Sequence, residues 1–174
     1  DAYTPDGRHG MRPDYPTIVY SKILKDLFPN VPIIVGGIEA SMRRLSHYDY
    51  WEDRLRPSIL FDAPIDMLIY GMGEIPIIEI VGQLEKNKDI SQITNVRQTA
   101  ILTDVTPSAD ENNILLNSFE ECLKNKKSQA QNFKHIEQQS NRYEGLITFV
   151  CYYLIYYSGK YYFELKRLLV IQMI

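Results

Sequence analysis

What this sequence has little of narrows its chemistry first. Only two of its 174 residues are cysteines, Cys122 and Cys151, far apart along the chain. They form no CxxC pair and no Cys/His cluster, so by themselves they build neither a zinc site nor an iron–sulfur site. Without a disulfide framework, a reducing cytoplasm is the simplest compartment. No long basic block is present and the formal net charge is −3, which leaves no electrostatic footprint for nucleic acid. The short basic clusters Arg43–Arg44 and Lys124–Lys126–Lys127 read as solvated helix faces. The apolar run Leu146–Tyr157 falls short of the ~20 residues that a membrane helix needs. The chain opens Asp1-Ala2-Tyr3-Thr4-Pro5-Asp6-Gly7, with no Met, no basic n-region and no apolar signal core. Such a start reads like the interior of a longer protein.

What remains is an ordinary globular composition, 45% apolar and 24% charged, in a length suited to one domain. Residues 1–15, with Pro5, Gly7, Gly10 and Pro13, have a loop composition. Thr17 is placed to cap a helix whose apolar residues Val19, Ile23, Leu24, Leu27 and Phe28 recur at helical spacing, and Pro29-Asn30 stops it. The β-branched run Val31–Val35 predicts a buried strand that ends at Gly36-Gly37. Ile38 to Arg56 reads as helix, or as two short helices, ending before Pro57. A second strand, Asp66–Tyr70, ends at Gly71-Met72-Gly73. The helix after it carries Ile77, Ile78, Ile80, Val81 and Leu84 on one face, with Pro76 in its first turn, and Asn87-Lys88-Asp89 ends it.

Two strand–glycine–helix units in succession predict an α/β fold built on an open parallel sheet. Ligands of such sheets bind beyond the carboxyl ends of the strands, where both glycine turns would lie. Farther on, Thr99–Thr103 and Ile114–Leu116 read as short strands. Ser118 to about Tyr143 reads as one long, mostly exposed helix. From Leu146 the character changes: six of the thirteen tyrosines fall in 151–174. Ser158-Gly159-Lys160 suits a hairpin turn between two aromatic strands. The abruptness of the change favours another reading, an out-of-frame or read-through tail.

The densest stretch is Gly36-Gly37-Ile38-Glu39-Ala40-Ser41-Met42-Arg43-Arg44, followed by Leu45-Ser46-His47-Tyr48-Asp49-Tyr50-Trp51. A Gly-Gly turn lets backbone approach a ligand closely, and the helix start beyond it offers free N–H donors. Glu39 and Ser41 sit in that turn, and Arg43, Arg44 and His47 follow within two helical turns. His47, Tyr48, Tyr50 and Trp51 supply stacking surfaces with hydrogen-bonding tips. Spacing alone favours a plain tight βα connection with aromatics that pack the domain or an interface, because the pattern matches neither GxGxxG nor a P-loop. Asp49, Glu52 and Asp53 read as helix-surface carboxylates.

These residues also carry a resemblance. The stretches Asp1–Asp6, Arg12-Pro13-Asp14, Val31–Arg44 and His47–Trp51 resemble the YgiQ-type radical SAM family. The likeness continues through Ala63, Asp66 and Gly71 to Ile93–Ala100, more loosely into Leu115–Lys127, and covers roughly residues 1–140. The resemblance implies a region upstream of a catalytic core. It also implies the second half of a partial Rossmann-like, cobalamin-binding-type domain, with the first strands supplied from elsewhere. In such domains GG-x-x-A-S-like and G-x-G-E-like turns close consecutive strands, here Gly36–Ser41 and Gly71-Met72-Gly73-Glu74. The family's core is expected to hold a 4Fe–4S cluster through CxxxCxxC and to bind S-adenosylmethionine. That motif is absent from this chain, which is therefore expected to be inactive alone and to hold no cofactor or metal itself. The Asp-x-His-x-x-Gly cobalt-ligand motif is absent too, so cobalamin is unsupported.

The expected organisation is a domain over residues 1–117, a connecting helix over 118–145 and the atypical tail over 146–174. The expected function is that of an accessory domain capping the radical SAM core of the same polypeptide, with Glu39, Arg43, Arg44, His47, Tyr50 and Trp51 facing the junction. Two alternatives stay open: a free-standing module holding a nucleotide or corrinoid at the glycine turns, and a protein-interaction domain using the aromatics.

Overall fold

The computed structural model describes residues 4–86, 88–104, 113–140, 148–154 and 166–172. The first helix, α1 (Pro16–Leu27), leads into a two-residue strand, β1 (Ile34–Val35), and then a short helix, α2 (Gly37–Met42). A small hairpin follows, β2 (His47–Asp49) and β3 (Arg54–Arg56), and a single helical turn, α3 (Ile59–Asp62). Next come β4 (Met67–Ile69), α4 (Glu74–Leu84), β5 (Thr99–Thr103) and β6 (Asn113–Leu116). Two helices, α5 (Phe119–Lys124) and α6 (Lys126–Ser140), precede β7 (Thr148–Leu154) and β8 (Lys166–Gln172).

The main sheet has the strand order β1-β4-β5-β8-β7-β6. It is mixed rather than parallel. β1 runs parallel to β4, and β6 parallel to β7, while β4–β5, β5–β8 and β8–β7 are antiparallel. The two strand–glycine–helix units therefore form one parallel pair; β5, β7 and β6 run opposite to it, and β8 runs in the same sense as the pair. The Ser158-Gly159-Lys160 turn lies outside the described residues, whereas the two strands on either side of it are antiparallel partners, Thr148 opposite Gln172 and Leu154 opposite Lys166.

Period-two alternation gives the sheet two apolar faces. Leu68 and Tyr70, Ala100 and Ile171 pack with Ile18, Ala40, Ile59 and Leu60, which come from α1, α2 and α3. Met67, Ile69, Ile101 and Val170 pack on the other side with Ile80 of α4, Ile93 and Val96. β4 is buried on both faces, which is why its sequence is wholly apolar.

Two helix expectations are corrected. The helix expected from Ile38 to Arg56 stops at Met42, and residues 47–56 form the hairpin, with Asp49 opposite Arg54. Burial along it alternates: His47 is half-buried, Tyr48 exposed, Asp49 buried and Tyr50 exposed. The Asp49 carboxylate closes the hairpin, its Oδ1 accepting from the N–H groups of Trp51 (3.0 Å) and Glu52 (3.1 Å). Asp49 is thus no helix-surface carboxylate. The long helix expected from Ser118 is broken at Asn125, whose extended backbone (φ −143°, ψ 110°) separates α5 from α6. Ser118 and Glu121 form a reciprocal capping box at the start of α5.

Thr17 does not cap α1; Tyr15 holds the N-cap position and its side chain makes no capping bond. Among the described residues no helix is long and apolar enough to cross a membrane.

Two glycines allow a contrast of sign. Gly71 has φ +70°, a conformation that side chains rarely adopt, and a Cβ there would meet Gln98 Nε2 at 2.9 Å. Gly82 lies inside α4, and a Cβ there would meet nothing within 4 Å. Gly71→Ala should destabilise the fold by more than about 1 kcal/mol, and Gly82→Ala should stabilise it by about 0.5–1 kcal/mol. Urea titration of both variants checks the opposite signs.

Candidate functional site

The parallel register of β1 and β4, Ile34 opposite Met67 and Val35 opposite Leu68, sets the two glycine turns side by side at the carboxyl end of the pair. A Cβ on Gly36 would lie 3.5 Å from the carbonyl oxygen of Ile69. Gly37 takes φ +84° and opens α2, and Gly71 takes φ +70° after β4. Gly73 precedes α4, and Glu74 begins it with an exposed side chain. The turns are where the strand pattern put them.

Glu39 and Arg43 point inward, each engaged by partners within the domain. Glu39 Oε2 accepts from the Thr17 N–H (3.1 Å) and from Thr17 Oγ1 (2.6 Å). The carboxylate thereby caps the start of α1 from another element, replacing the cap that Tyr15 cannot provide. Its other oxygen stands 3.7 Å from Arg43 Nη1, an ion pair too long to be a hydrogen bond. Both of those atoms are buried without a hydrogen-bond partner among the described residues.

Arg43 lies over the ring of Tyr15, its Cζ 4.5 Å from the centroid, and Arg56 lies over the same ring at 4.9 Å. The Tyr15 hydroxyl donates to Asp49 Oδ2 at 3.0 Å. Arg56 also pairs with Asp62 (2.8 Å), Glu52 (3.1 Å) and Asp49 (3.8 Å). Burial pushes the Asp49 carboxyl up, yet the bonds from Glu52 N–H, Tyr15 and Trp51 N–H, with the Arg43 charge, bring it below the usual carboxylate range. Burial, and then the Asp49 bond and charge, push the Tyr15 phenol up. The result is a closed clamp of cations, carboxylates and one aromatic ring.

Arg44 turns elsewhere. Its guanidinium lies 4.7 Å over the Tyr70 ring and donates to the Ser41 carbonyl at 2.5 Å. Burial lowers its affinity for the proton, against the opposing effect of Tyr70. His47 Nδ1 is 3.1 Å from the Leu45 carbonyl, and Nε2 is buried with no partner among the described residues. Burial pushes its imidazole down, and the nearby Arg43 and Arg56 charges add to that. The Tyr48 hydroxyl donates to Asp53. Tyr48, Tyr50 and Trp51 are exposed, with the Tyr50 and Trp51 rings edge-to-face at 5.7 Å.

The residues singled out by sequence therefore divide in two. Glu39, Arg43, Arg44 and His47 are built into the domain, whereas Tyr50 and Trp51 project from the hairpin tip. Sequence reasoning missed Tyr15, Thr17 as a donor, Arg56 and Asp62. Nothing in the spacing ties Tyr15 to a carboxylate 34 positions on. The period-two pattern around Asp49 was the available signal.

The chain does not fit an iron–sulfur cluster of its own. Cys122 is buried, its sulfur takes a bond from Asn132 Nδ2 (3.4 Å), and burial with Glu121 and Glu120 pushes its thiol up to about 11. With two cysteines in the whole sequence, no three-thiolate set can be assembled.

A family model described as Radical SAM N-terminal matches residues 1–152. The chain is 59% identical over 147 residues to a UPF0313 protein of Porphyromonas gingivalis, covering 83% of this chain and 23% of that protein. It is 54% identical to a UPF0313 protein of Bacteroides thetaiotaomicron, covering 82% of this chain and 25% of that one. A Geobacter sulfurreducens UPF0313 protein is 41% identical, with 81% and 23% covered. The chain thus spans about a quarter of the length of these curated relatives. No solved structure matches.

Two outcomes follow from the bonds of Glu39 and the burial of His47. Thr17→Val removes a charge-assisted bond at the start of α1 and should cost about 1.5 kcal/mol in urea unfolding. His47 has a folded pKa below its unfolded one, so the unfolded chain binds its proton more readily. Stability should fall as pH drops below about 6.5 and level off once the lowered folded value is passed. Unfolding of His47→Asn across that window should lack this slope.

Proposed function

Because this chain belongs to the radical SAM N-terminal family, we propose that it is the accessory domain of a radical SAM polypeptide. On this reading, the sheet end that carries the two glycine turns receives the iron–sulfur core of that polypeptide. The strand–glycine–helix repeat over β1 to α4 supports a Rossmann-like reading of this half of the sheet, used here as a platform rather than as a cofactor cradle. The core would supply a 4Fe–4S cluster and S-adenosylmethionine, whose reductive cleavage gives a 5′-deoxyadenosyl radical. This domain's own contribution is to bind and orient.

One observation carries the reading. The helix α2, the glycine turn after β4 and the first half of α4 carry exposed apolar side chains: Ile38 and Met42, Met72, and Ile75 and Ile78. Ile75 is 77% exposed, and at the hairpin tip Trp51 is 85% exposed. A soluble domain seldom leaves so many large apolar groups along one edge unless something covers them. Aromatics with this exposure are typical anchors of an interface. The inward-facing Arg43, Glu39 and Asp49 support the junction by holding the hairpin, whereas Tyr50 and Trp51 are its contact residues.

The chain carries a single tryptophan, so 5-fluorotryptophan labelling places one fluorine resonance at Trp51. Adding the segment of the Porphyromonas gingivalis relative that lies outside the matched region should shift or broaden that resonance and give a one-to-one complex on gel filtration. Trp51→Ala or Ile75→Asp should weaken the complex by about tenfold or more. An unchanged resonance and separate elution would overturn the reading.

A further inference from the structure

We propose that the carboxamide of Gln98 is the hydrogen-bonding contact of the glycine-turn edge, where it binds a backbone peptide group in a non-helical segment of the radical SAM core. This rests on the docking proposed above for that edge, and names the chemistry that the partner must present there.

Gln98 stands in the turn before β5, at the carboxyl end of β4. Its carbonyl accepts from the Tyr70 N–H at 3.0 Å, and the next pair along the strands is Ile69 with Thr99. Its φ of +57° lies in the left-handed region, where a residue with a Cβ is strained. Beside it Gly71 has φ +70°, and a Cβ on Gly71 would meet Gln98 Nε2 at 2.9 Å. The carboxamide therefore lies against the glycine, which is the residue that leaves room for it. The backbone beneath is fixed: Thr99 Oγ1 donates to the Val96 carbonyl at 2.6 Å, and both residues are buried.

Two left-handed residues thus hold an amide that the domain itself leaves unused. Among the described residues the Gln98 carboxamide has no hydrogen-bond partner, and Gln98 is only half-buried. A glycine at this position would relieve the backbone, so what the strain retains is the side chain. Met72, in the same turn as Gly71, and Ile75, just beyond it, are exposed. An uncharged amide among exposed apolar groups suits the centre of an interface, where each polar group needs a partner once water is excluded. A carboxamide offers an acceptor and N–H donors in one plane, and a peptide group answers both at once. Peptide groups inside a helix have spent theirs on the helix ladder, so the segment is extended or looped. Relatives of which this chain spans about a quarter have the remaining length to supply it.

Two variants test the proposal, each made in this chain and in a full-length hybrid where this chain replaces the matched region of the Porphyromonas gingivalis relative. Gln98→Gly removes the amide and relaxes the backbone. Gln98→Glu keeps the length and the backbone strain but loses the N–H donors. Hydrogen-exchange mass spectrometry follows the peptides that cover Gly71 to Ile75 and Arg97 to Thr99. In the isolated chain neither variant should exchange faster than the unsubstituted chain. In the hybrid both should exchange about tenfold faster or more, because the docked peptide group is left without its partner. Faster exchange of both variants in the isolated chain would make the amide an internal brace and overturn the proposal. Ile75→Asp in the hybrid separates this proposal from the docking it rests on. Lost protection with Ile75→Asp but with neither Gln98 variant leaves the junction standing and overturns the role of Gln98; no loss with any of the three overturns both. Self-association of the isolated chain that Gln98→Gly abolishes would also overturn it, since the amide would then serve a second copy.

Discussion

The ring of Tyr15 is the point through which separate parts of this domain are joined. Arg43 and Arg56 stack on it, and its hydroxyl holds the carboxylate of Asp49. Those three partners come from the end of α2, from β3 and from β2. Arg56 extends the set to α3 through Asp62, and Arg43 extends it to α1 through Glu39 and Thr17. No single contact in the set is strong: a cation over a ring contributes about 0.5–2 kcal/mol, depending on how dry the site is. Their value is in being shared. A buried guanidinium or carboxylate that loses one partner is left with an uncompensated charge, so the set favours a single arrangement of the hairpin.

That arrangement explains why a short hairpin can present exposed aromatics without collapsing onto the domain. Asp49 is 4% exposed and anchors the turn from inside, so Tyr50 and Trp51 have only the outward direction left. The glycine turns set the other half of the same edge by positive φ at Gly37 and Gly71, which lets α2 and α4 start close to the strand ends. Together these devices make an apolar rim on a polar, cross-braced base.

Much of this was legible in the sequence wherever the determinants are local. The runs Val31–Val35 and Asp66–Tyr70 mark two strands by composition, of which β4 is buried and β1, at the end of the strand order, is only half-buried; the glycines after them mark the turns, and Ser118 marks a helix start. The hairpin was not legible as such. The stretch Ile38–Arg56 reads as helix up to Pro57, whereas the hairpin within it is held by Tyr15, 34 residues away from Asp49. The single long helix after Ser118 likewise ignored Asn125, a residue whose side chain caps the next helix by accepting from Lys127 N–H at 3.0 Å. The two successive strand–glycine–helix units predict a parallel sheet, and they do give one parallel pair, β1 and β4. Pairings such as Thr99 with Gln172 depend on residues too distant for any local pattern to reveal. At the candidate site the spacing does not show direction: Glu39 and Arg43 face inward onto Thr17 and Tyr15, whereas Trp51 is exposed.

The most direct test of the central claim is a structure of a full-length UPF0313 relative with its cluster reconstituted. The counterparts of Ile38, Ile75 and Trp51 should be buried against the remainder of the polypeptide, with the counterpart of Tyr15 still stacked beneath the hairpin. If those apolar residues face solvent while the core packs on another surface, the glycine-turn edge is not the junction and the accessory role proposed for it is wrong.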